Sequence, residues 1–380
     1  MNQMHMHSSS FPRIPLPTRW GYAGILVLLL SLPACQSGEI PLTRFEDSPV
    51  IDSLLAAAPH FVVNTDIEAE RWAATTRLGL PTDSLILGRP SNMIAIGDSI
   101  YVSENLSTHL FAVGADGHLS RKIGKPGKAP GEFLYLAGLQ YNGSYVFTKD
   151  EGRVQVFTDK FEYVHSFPYS GLTHRRFSVS PDYVFLKCLG GNWLVCARSA
   201  SPPYAWIPSI ELLPVLDLPD RTGENSNFVT VSPSGERIAM AYRGLPYVFV
   251  YDDQFRHLRT IRFEGRDVRN FKPVIGLPDG VGLPDGVPAE SFEFGTNVFI
   301  ETLKFINDRY LIARAPSIDN YVFDLSENDY ELARKIIFRP VNDAEERKDI
   351  PPADFLLHGD YLYVSSPREE YVYGYEFDLE

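Results

Sequence analysis

Short apolar segments separated by turn residues recur along the chain in a common order. Each unit has an apolar strand, a turn of Gly, Asn, Asp or Pro, a second and more strongly apolar strand, and then a small residue followed by polar ones. The six units are Met93–Ser103, Leu136–Thr148, Tyr183–Ala197, Phe228–Ala241, Glu301–Ala313 and Asp354–Ser365. Their closing residues are spaced 45, 49, 44, 72 and 52 positions apart, and a period near 45 is typical of a four-stranded blade. The pattern therefore predicts an all-β protein, a six-bladed β-propeller with four strands per blade.

The chain ends and the one long interval complete this prediction. The last unit runs out at Glu380 after three strands, so we expect its outer strand to come from the N-terminal stretch, within His60–Leu87. Pairing of the two chain ends removes the exposed edges of an open ring. The long interval predicts an insertion at about 265–296, between blades 4 and 5, where Gly276–Gly280 and Gly282–Gly286 nearly repeat. We interpret it as a surface loop lengthened by duplication, with a lid or a partner-docking loop as the alternative.

Composition agrees with short strands and narrows the range of partners. The 380 residues are 44% hydrophobic and include 20 Tyr, 24 Phe, 28 Gly and 29 Pro, a mixture that favours strands and tight turns over long helices. Forty-eight acidic residues against 35 basic ones give a net charge of −13. Because phosphate repels an acidic chain, we do not expect nucleic acid or anionic lipid headgroups as partners.

The first 34 residues have the features of a signal peptide. Arg13 and Arg19 precede the apolar run Tyr22–Ala34, and no acidic residue lies among the first 20. This order of a basic segment and an apolar segment is typical of secreted precursors. The run is shorter than the roughly 20 residues that a membrane-spanning helix needs, so a retained transmembrane helix is the weaker alternative.

The end of this segment, Leu32–Cys35, resembles a bacterial lipobox, although Pro33 departs from its usual pattern. The resemblance implies that Cys35 is lipidated and becomes the first residue of the mature protein. Residues 35–59 are rich in small and polar residues, and we interpret them as a spacer between the lipid and a propeller at 60–380. The expected location is the cell envelope, with a lipid anchor in the outer membrane and the domain on its periplasmic or surface face.

Two cysteines remain, Cys188 and Cys196, on either side of Gly190–Asn192. A two-residue hairpin turn pairs positions whose numbers sum to an odd value, which would place the two thiols on opposite faces of the sheet. A three- or five-residue loop would place them on one face. We favour two buried free thiols and keep a disulfide, which an oxidising compartment permits, as the alternative.

One stretch carries a specific motif. Gly124–Phe133 reads Gly-Lys-Pro-Gly-Lys-Ala-Pro-Gly-Glu-Phe, and Gly152–Phe157 reads Gly-Arg-Val-Gln-Val-Phe. This combination resembles an NHL-type repeat, and with the lipobox it resembles the exported six-bladed propeller lipoproteins of Bacteroidota. The resemblance implies a fold and an address but no chemistry, because NHL-like propellers include lyases, lactonases and protein- or RNA-binding scaffolds. From the residues themselves we expect positive φ angles at the glycines, an apolar contact for Phe133, and backbone amides bonded to Glu132, with ligand binding by Glu132 as the alternative.

No familiar catalytic or metal-binding motif is present in the sequence. The nine His show no metal-ligand spacing, and the signatures of common hydrolases and nucleotide-binding folds are absent. A calcium site at Asp279 and Asp285 is the weaker alternative to no metal, because such a site needs six to eight oxygen ligands. We therefore expect neither a cofactor nor a metal.

Six loops, each following the second strand of a blade, should encircle one mouth of the central channel. Their polar residues are Glu104, Asn105, Lys149, Asp150, Glu151, Arg198, Arg243, Arg314 and Arg368. Guanidinium groups bind carboxylate, sulfate or phosphate through paired hydrogen bonds, so the loops predict an anion site, with Lys149 and Glu104 beside four Arg. Ion pairs that merely tie the loops together, for example to Glu369, are the alternative. Nearby Tyr204, Trp206 and Tyr242 either stack on sugar rings or are buried.

These features favour a binding or scaffold module over an enzyme. The predicted ligand is an anionic small molecule, glycan or peptide terminus, an envelope protein is the other expected partner, and we expect a monomer. A metal-dependent propeller enzyme of the lactonase or lyase type is the alternative. It requires polar ligands on the innermost strands, where the sequence shows mainly apolar or small residues. A purely structural part of an envelope assembly is a third interpretation.

Overall fold

The computed structural model describes residues 48–79, 87–104, 107–114, 116–150, 152–169, 177–187, 195–214, 216, 227–270, 298–315, 318–326, 330–341 and 349–378. The expected signal peptide, Cys35, and the acidic pair Asp279 and Asp285 lie outside these residues. Of the insertion expected at 265–296, only 265–270 are described. No helix among the described residues is both long enough and apolar enough to cross a membrane.

Regular structure consists of 26 short strands and two short helices in the described part of the chain. The N-terminal elements are α1 (Pro49–Ala56), β1 (His60–Asn64), β2 (Glu70–Ala73) and β3 (Thr76–Leu78). Blade 1 contains β4 (Pro90–Ile96), β5 (Ser99–Glu104), β6 (Leu110–Val113) and β7 (Leu119–Ile123). Blade 2 contains β8 (Gly138–Tyr141), β9 (Tyr145–Asp150), β10 (Arg153–Thr158) and β11 (Tyr163–Pro168). Blade 3 contains β12 (Ser178–Val179), β13 (Tyr183–Lys187), β14 (Val195–Ser199) and β15 (Trp206–Glu211).

The second half of the domain repeats this arrangement. Blade 4 contains β16 (Asn227–Val231), β17 (Arg237–Tyr242), β18 (Tyr247–Asp252) and β19 (His257–Glu264), and α2 (Arg266–Asn270) follows it. Blade 5 contains β20 (Thr302–Phe305), β21 (Tyr310–Arg314), β22 (Asn320–Asp324) and β23 (Glu331–Arg339). Blade 6 contains β24 (Asp354–His358), β25 (Tyr361–Ser365) and β26 (Val372–Glu376).

The first strand of each blade is the innermost, and these strands form a ring. β4 contacts β8, β12 contacts both β8 and β16, and β20 contacts both β16 and β24. The contact of β24 with β4 closes the circle. In blades 1–5 the four blade strands pair in sequence order, and β24, β25 and β26 of blade 6 do the same. The protein is therefore an all-β, six-bladed propeller with four-stranded blades, which confirms the predicted fold class.

Both faces of each blade are buried because side chains alternate along the strands. Val248 and Val250 of β18 pack toward blade 5, whereas Phe249 packs toward blade 3. The buried residues that the structure describes form six apolar clusters, and each cluster unites side chains of two neighbouring blades. Burial of apolar surface between blades, worth roughly 25 cal/mol per Å², is thus what holds the ring together.

The N-terminal part of the domain closes the ring, as the sequence predicts. β3 pairs antiparallel with β26 and becomes the outer strand of blade 6, with Thr76 opposite Gly374 and Leu78 opposite Val372. Two further pairings have no counterpart in the prediction. β1 and β2 pair in parallel with β19 and β23, so blades 4 and 5 each gain a fifth strand. The N-terminal segment therefore crosses the outer edges of three blades in succession.

A buried lysine fastens this segment between β1 and β2. Nζ of Lys335 donates to the carbonyl oxygens of Thr65 (2.8 Å) and Ile67 (3.1 Å) and lies 3.1 Å from a carboxylate oxygen of Asp319. Lys335 is only 5% exposed. Because its charge is paired and its protons are used, the desolvation cost of burying it is offset.

The described part of the expected spacer, residues 48–59, contains a packed helix. Pro49 is in the first turn of α1, where a missing N–H leaves no helical bond unmade. Ile51 is 1% exposed and belongs to the apolar cluster that contains Leu213 and Tyr251. Residues of α1 therefore pack against the propeller upstream of residue 60, where the sequence predicts a spacer.

Blade 3 corrects the predicted unit Tyr183–Ala197. Its first strand, β12, has only two residues, so this unit supplies the second and third strands rather than the first and second. The long apolar run that marks the innermost strand elsewhere is reduced here to Ser178 and Val179. As a consequence, Arg198 lies on the third strand of its blade and not in the loop after the second.

Cys196 is disulfide-bonded, so the preference for two free thiols was wrong. Its partner lies outside the described residues. In the observed register Leu186 is opposite Cys196, so the numbers of paired residues add up to an even value. Even-numbered residues of β13 and β14 therefore lie on one face of the sheet. The free-thiol preference assumed a two-residue turn, which would require an odd sum.

The glycine-rich stretch 124–133 forms the crossing from blade 1 to blade 2. Gly124 has φ of +90°, and a Cβ there would lie 2.5 Å from the ring of Phe133, so only glycine fits. Phe133 is 1% exposed and packs between the two blades. Glu132 accepts a hydrogen bond from the amide of Ala129 (3.0 Å) and pairs with Lys125 (3.1 Å). The structural role expected for Glu132 is therefore the one observed.

Gly374 provides a test of ring closure. A Cβ added there would lie 2.5 Å from Cγ2 of Thr76 and 3.0 Å from Cε1 of Tyr363. We expect Gly374→Ala to lower the free energy of unfolding by about 1–3 kcal/mol, because overpacking would separate β3 from β26. Urea denaturation measures the change. Adding Thr76→Ser removes the opposing methyl group and should restore part of the loss, whereas equal losses in the single and double variants would argue against this contact.

Candidate functional site

The central channel contains a cavity of about 340 Å³ that residues of all six blades line. Twelve of its 20 lining residues are polar or charged, whereas most small-molecule pockets are lined mainly by apolar side chains. Four lining residues are cationic and two are anionic, which leaves two positive charges in excess in a chain of net charge −13. The cavity therefore favours hydrophilic and anionic ligands.

The innermost strands present polar side chains to this cavity, contrary to the expectation of mainly apolar or small residues. Prominent among them are Asn92, Gln140, Ser178, Thr230, Lys304 and Asp354. In the sequence these residues are interleaved with the apolar positions that identify the strands. Because alternate residues of a strand point to opposite sides, a short apolar run can still place a polar side chain toward the channel.

Three of these side chains cap a backbone N–H on the innermost strand of the next blade. The bonds run from Val231 N to Ser178 Oγ (3.1 Å), from Phe305 N to Thr230 Oγ1 (3.1 Å) and from Met93 N to Asp354 Oδ2 (2.9 Å). The last of them joins blade 6 to blade 1. Because an innermost strand has no further strand on its channel side, such caps satisfy donors that would otherwise lack a partner.

Both carboxylates of the cavity lining are paired with cations. Nζ of Lys304 lies 3.0 Å from Oδ1 of Asp354, and Nη2 of Arg314 pairs with Oε2 of Glu301. Burial, together with the nearby charge of Arg368, lowers the pKa of Arg314 to about 10. Arg314 thus remains protonated at neutral pH, and the two acidic residues are already engaged.

Three of the predicted mouth residues come together in the cavity lining. Arg243, Arg314 and Arg368 lie on the consecutive blades 4, 5 and 6. The guanidinium carbon of Arg243 is 5.8 Å from the ring centroid of Phe228. Arg368 is exposed and forms no ion pair with any residue that the structure describes.

The acidic residues predicted at the mouth bind loop backbone instead. Glu104 accepts a hydrogen bond from the amide of Gly88. Asp150 accepts from the amides of Leu134 (3.1 Å) and Tyr135 (2.8 Å) and pairs with Arg153 at 3.1 Å. Neither lines the cavity. The predicted residues Asn105 and Glu151 lie outside the described residues.

Lys149 is buried beside the ring of inner strands rather than placed in the cavity lining. Its Nζ lies 4.8 Å from the ring centroid of Tyr169. Burial, and secondarily the charge of Lys187, lowers the pKa of Lys149 to about 8. Burial likewise raises the pKa of Tyr169 to about 12.

Arg198 lies away from the cavity lining. Its guanidinium carbon is 4.7 Å from the ring centroid of Phe167 and 4.3 Å from that of Trp206, and burial lowers its pKa. Of the three aromatic residues predicted near the mouth, Trp206 is 47% exposed, whereas Tyr204 and Tyr242 are buried. Arg198 therefore packs against aromatic rings of the outer strands of blades 2 and 3.

Several polar residues on the first and second strands of the blades were missed by the sequence prediction. The second strand of blade 3 ends at Lys187, which occupies the position that the prediction assigns to Arg198. A repeat alignment that allowed a two-residue first strand would have found it. Asn92 and Gln140 were missed because a search for charged loop residues passes over neutral amides within strands.

Among the residues that the structure describes, no three His, Cys, Asp or Glu side chains lie close enough together to hold a metal ion. The residues proposed for calcium are not among those described.

Comparison with known proteins supports the fold. A family of six-bladed β-propellers matches residues 79–161, which include blade 1 and most of blade 2. None of the curated proteins compared with the chain matches its sequence.

The solved structures that match this chain share little sequence with it. An exported protein of Bacteroides fragilis is 11% identical with a TM-score of 0.46, over 81% of this chain and 88% of that one. Hydrazine synthase of Kuenenia stuttgartiensis is 14% identical with a TM-score of 0.44, over 79% of this chain and 99% of that one. The β-propeller domain of Cps50 from Myceliophteria thermophila is 9% identical with a TM-score of 0.39, over 80% and 99%. Similarity this low carries no functional assignment.

Asp354 forms both the hydrogen bond between blades 6 and 1 and an ion pair with Lys304, and the contributions of the two to stability can be measured separately. We expect Asp354→Ala to lower the free energy of unfolding by about 3 kcal/mol, because it removes the cap on Met93 and leaves Lys304 without its partner. The double variant Lys304→Met with Asp354→Asn keeps an acceptor for Met93 and removes both charges. It should stay within about 1 kcal/mol of the unaltered protein. If urea denaturation gave the same loss of unfolding free energy for Asp354→Ala and for the double variant, the cap on Met93 would contribute nothing to stability.

The lowered pKa of Lys149 predicts that the stability of the protein depends on pH in a specific way. The folded protein releases the Lys149 proton near pH 8 and the unfolded chain near pH 10.5, so between these values the unfolded state binds more protons and stability rises with pH. Below about pH 8 the buried charge costs at most about 3 kcal/mol. Lys149→Met should therefore be more stable than the unaltered protein at pH 7, with the difference fading toward pH 10.5. A difference that is independent of pH in denaturation experiments would contradict this assignment.

Proposed function

We propose that this propeller is an exported, lipid-anchored binding module whose channel captures an anionic small molecule, glycan or peptide terminus. The observation that supports it is the position of Arg243, Arg314 and Arg368, which line one cavity from three consecutive blades. A concave cluster of cations focuses positive potential even where the whole chain is acidic. Guanidinium groups in such a cluster match carboxylate, sulfate and phosphate.

The three Arg differ in what they can contribute. Arg368 is exposed and forms no ion pair with a described residue, so an arriving anion would not have to displace a protein carboxylate from it. Arg314 is paired with Glu301, which offsets its charge, so its contribution to capture would be smaller. This ranking makes Arg368 the principal anion contact in the proposal.

Export and anchoring are supported by the sequence. Residues 1–34 have the order of charges and apolar residues of a signal peptide, and Leu32–Cys35 resembles a lipobox. In this proposal the lipid on Cys35 holds the domain at the cell envelope.

Arginine substitutions with a matched control test the proposed capture. We expect Arg368→Ala to weaken binding of citrate, sulfate or glucuronate at least tenfold in titration calorimetry at low salt, because it removes the partner of a charge-assisted bond. Arg243→Ala should act in the same direction. Arg198→Ala removes an arginine outside the cavity lining and should leave binding unchanged.

Melting temperature decides between capture and a structural role for these residues. Arg368→Ala should leave it nearly unchanged, because an exposed side chain without an ion pair contributes little to stability. A large fall in melting temperature with unaltered anion binding would support the structural alternative. Failure of every anion to bind, or an equal effect of Arg198→Ala, would refute the proposal.

A further inference from the structure

Three side chains on the consecutive blades 6, 1 and 2 have hydrogen-bonding groups that no described residue uses. They are the guanidinium of Arg368, the Oδ1 atom of Asn92 and the side-chain amide of Gln140, and all three residues line the central cavity. Nδ2 of Asn92 donates to Ser91 Oγ at 3.1 Å, which leaves its carbonyl oxygen available. We call these three residues the open arc.

Most other charged residues of the lining are already engaged. Asp354 caps a backbone amide and pairs with Lys304, and Arg314 pairs with Glu301. The hydroxyl of Ser178 accepts a backbone N–H of the next blade. A ligand can therefore bind the open arc without breaking any of the interactions that hold the ring.

The hydrogen-bonding groups of the open arc indicate which groups its ligand must contain. A guanidinium requires an acceptor, and an anionic one forms the strongest bonds. A side-chain amide both donates and accepts, which matches a hydroxyl group, since a hydroxyl also does both. A small inorganic anion on Arg368 would leave the two amides without partners, so the arc fits a molecule with an anionic group at one end and hydroxyl groups along its body.

The size and polarity of the cavity further restrict the class of ligand that fits it. Its volume of about 340 Å³ is at the lower end of the range for small-molecule sites, roughly 300–1,000 Å³, and suits one or two sugar rings. The two buried phenylalanines of the lining, Phe177 and Phe228, lie on blades 3 and 4, away from the arc. A peptide terminus would need a pocket for its side chain, and blades 1 and 2 offer amides and hydroxyls instead.

We propose that the ligand is an acidic sugar, with its carboxylate on Arg368 and its hydroxyl groups on Asn92 and Gln140. This inference rests on the proposed function, because it names the ligand class of the same cavity. It goes further in assigning recognition to two neutral amides on blades that carry no lining arginine.

A panel of probes separates the anionic group from the hydroxyl groups. Glucuronate and galacturonate, as monomers and dimers, are titrated into the purified full-length protein beside glucose, acetate, citrate, sulfate and the tripeptide Ala-Ala-Glu. We expect at least one acidic sugar to bind at least tenfold more tightly than both glucose and acetate, because neither of these engages the whole arc.

Substitutions then test each part of the arc. Gln140→Leu and Asn92→Leu should each weaken binding of the acidic sugar about 3- to 10-fold, the effect of losing one or two neutral hydrogen bonds, and should leave acetate binding unchanged. Gln254→Leu alters an exposed amide outside the cavity lining and is the matched control. Melting temperatures of all variants verify that each one is folded.

The outcomes distinguish this inference from the proposed function. If citrate, sulfate or acetate binds as tightly as any acidic sugar and Gln140→Leu has no effect, anion capture stands and the sugar assignment falls. If Ala-Ala-Glu binds more tightly than every acidic sugar, the ligand is a peptide terminus and the assignment falls. If no anion of any kind binds, both proposals fall together.

Discussion

The free edge of each innermost strand is the constraint on which this structure depends. A strand at the channel has a pairing partner on one side only, and its remaining N–H groups need acceptors. Ser178, Thr230 and Asp354 provide them across blade boundaries, from blade 3 to 4, from 4 to 5 and from 6 to 1. Apolar clusters fill the space between blades, but these directional hydrogen bonds fix the position of one blade relative to the next.

This constraint also explains how to interpret polar residues in the channel. A polar side chain there has a structural reason whenever it caps a neighbouring strand or neutralises another lining charge, as Asp354 and Lys304 do together. Charge alone is therefore a poor guide to ligand binding in such a channel. The informative residues are those with hydrogen-bonding groups that the ring does not use, because an unused group in a concave site is available to a ligand at little cost to the fold.

The fold was largely predictable because its signals are local. Five of the six predicted hairpins are the first and second strands of a blade, and the pairing of β3 with β26 follows from the count of strands. Blade 3 failed because β12 has only two residues, too few for an alternation of apolar and polar positions to be seen. β1 and β2 were missed because parallel pairing at an outer edge joins residues far apart in sequence and leaves no turn between them.

The candidate site was predictable in part for the same reason. Arg243, Arg314 and Arg368 follow second strands that were placed correctly, and they do line one cavity. Arg198 belonged to the blade whose register was wrong, and Lys187 was overlooked with it. Arg314 pairs with Glu301 within blade 5, and the side-chain amide of Gln140 is used by no described residue. Both facts depend on side-chain geometry, which the pattern of strands and turns does not show.

The course of the N-terminal segment across blades 4, 5 and 6 has a consequence for biosynthesis. β1, β2 and β3 are the first strands to be made, yet their partners β19, β23 and β26 follow about 200 to 300 residues later in the chain. At roughly 5–20 residues per second, these three strands wait on the order of tens of seconds with their edges exposed. A nascent chain of this protein therefore needs protection from aggregation until translation ends, and a fragment that lacks either terminus cannot complete the circle.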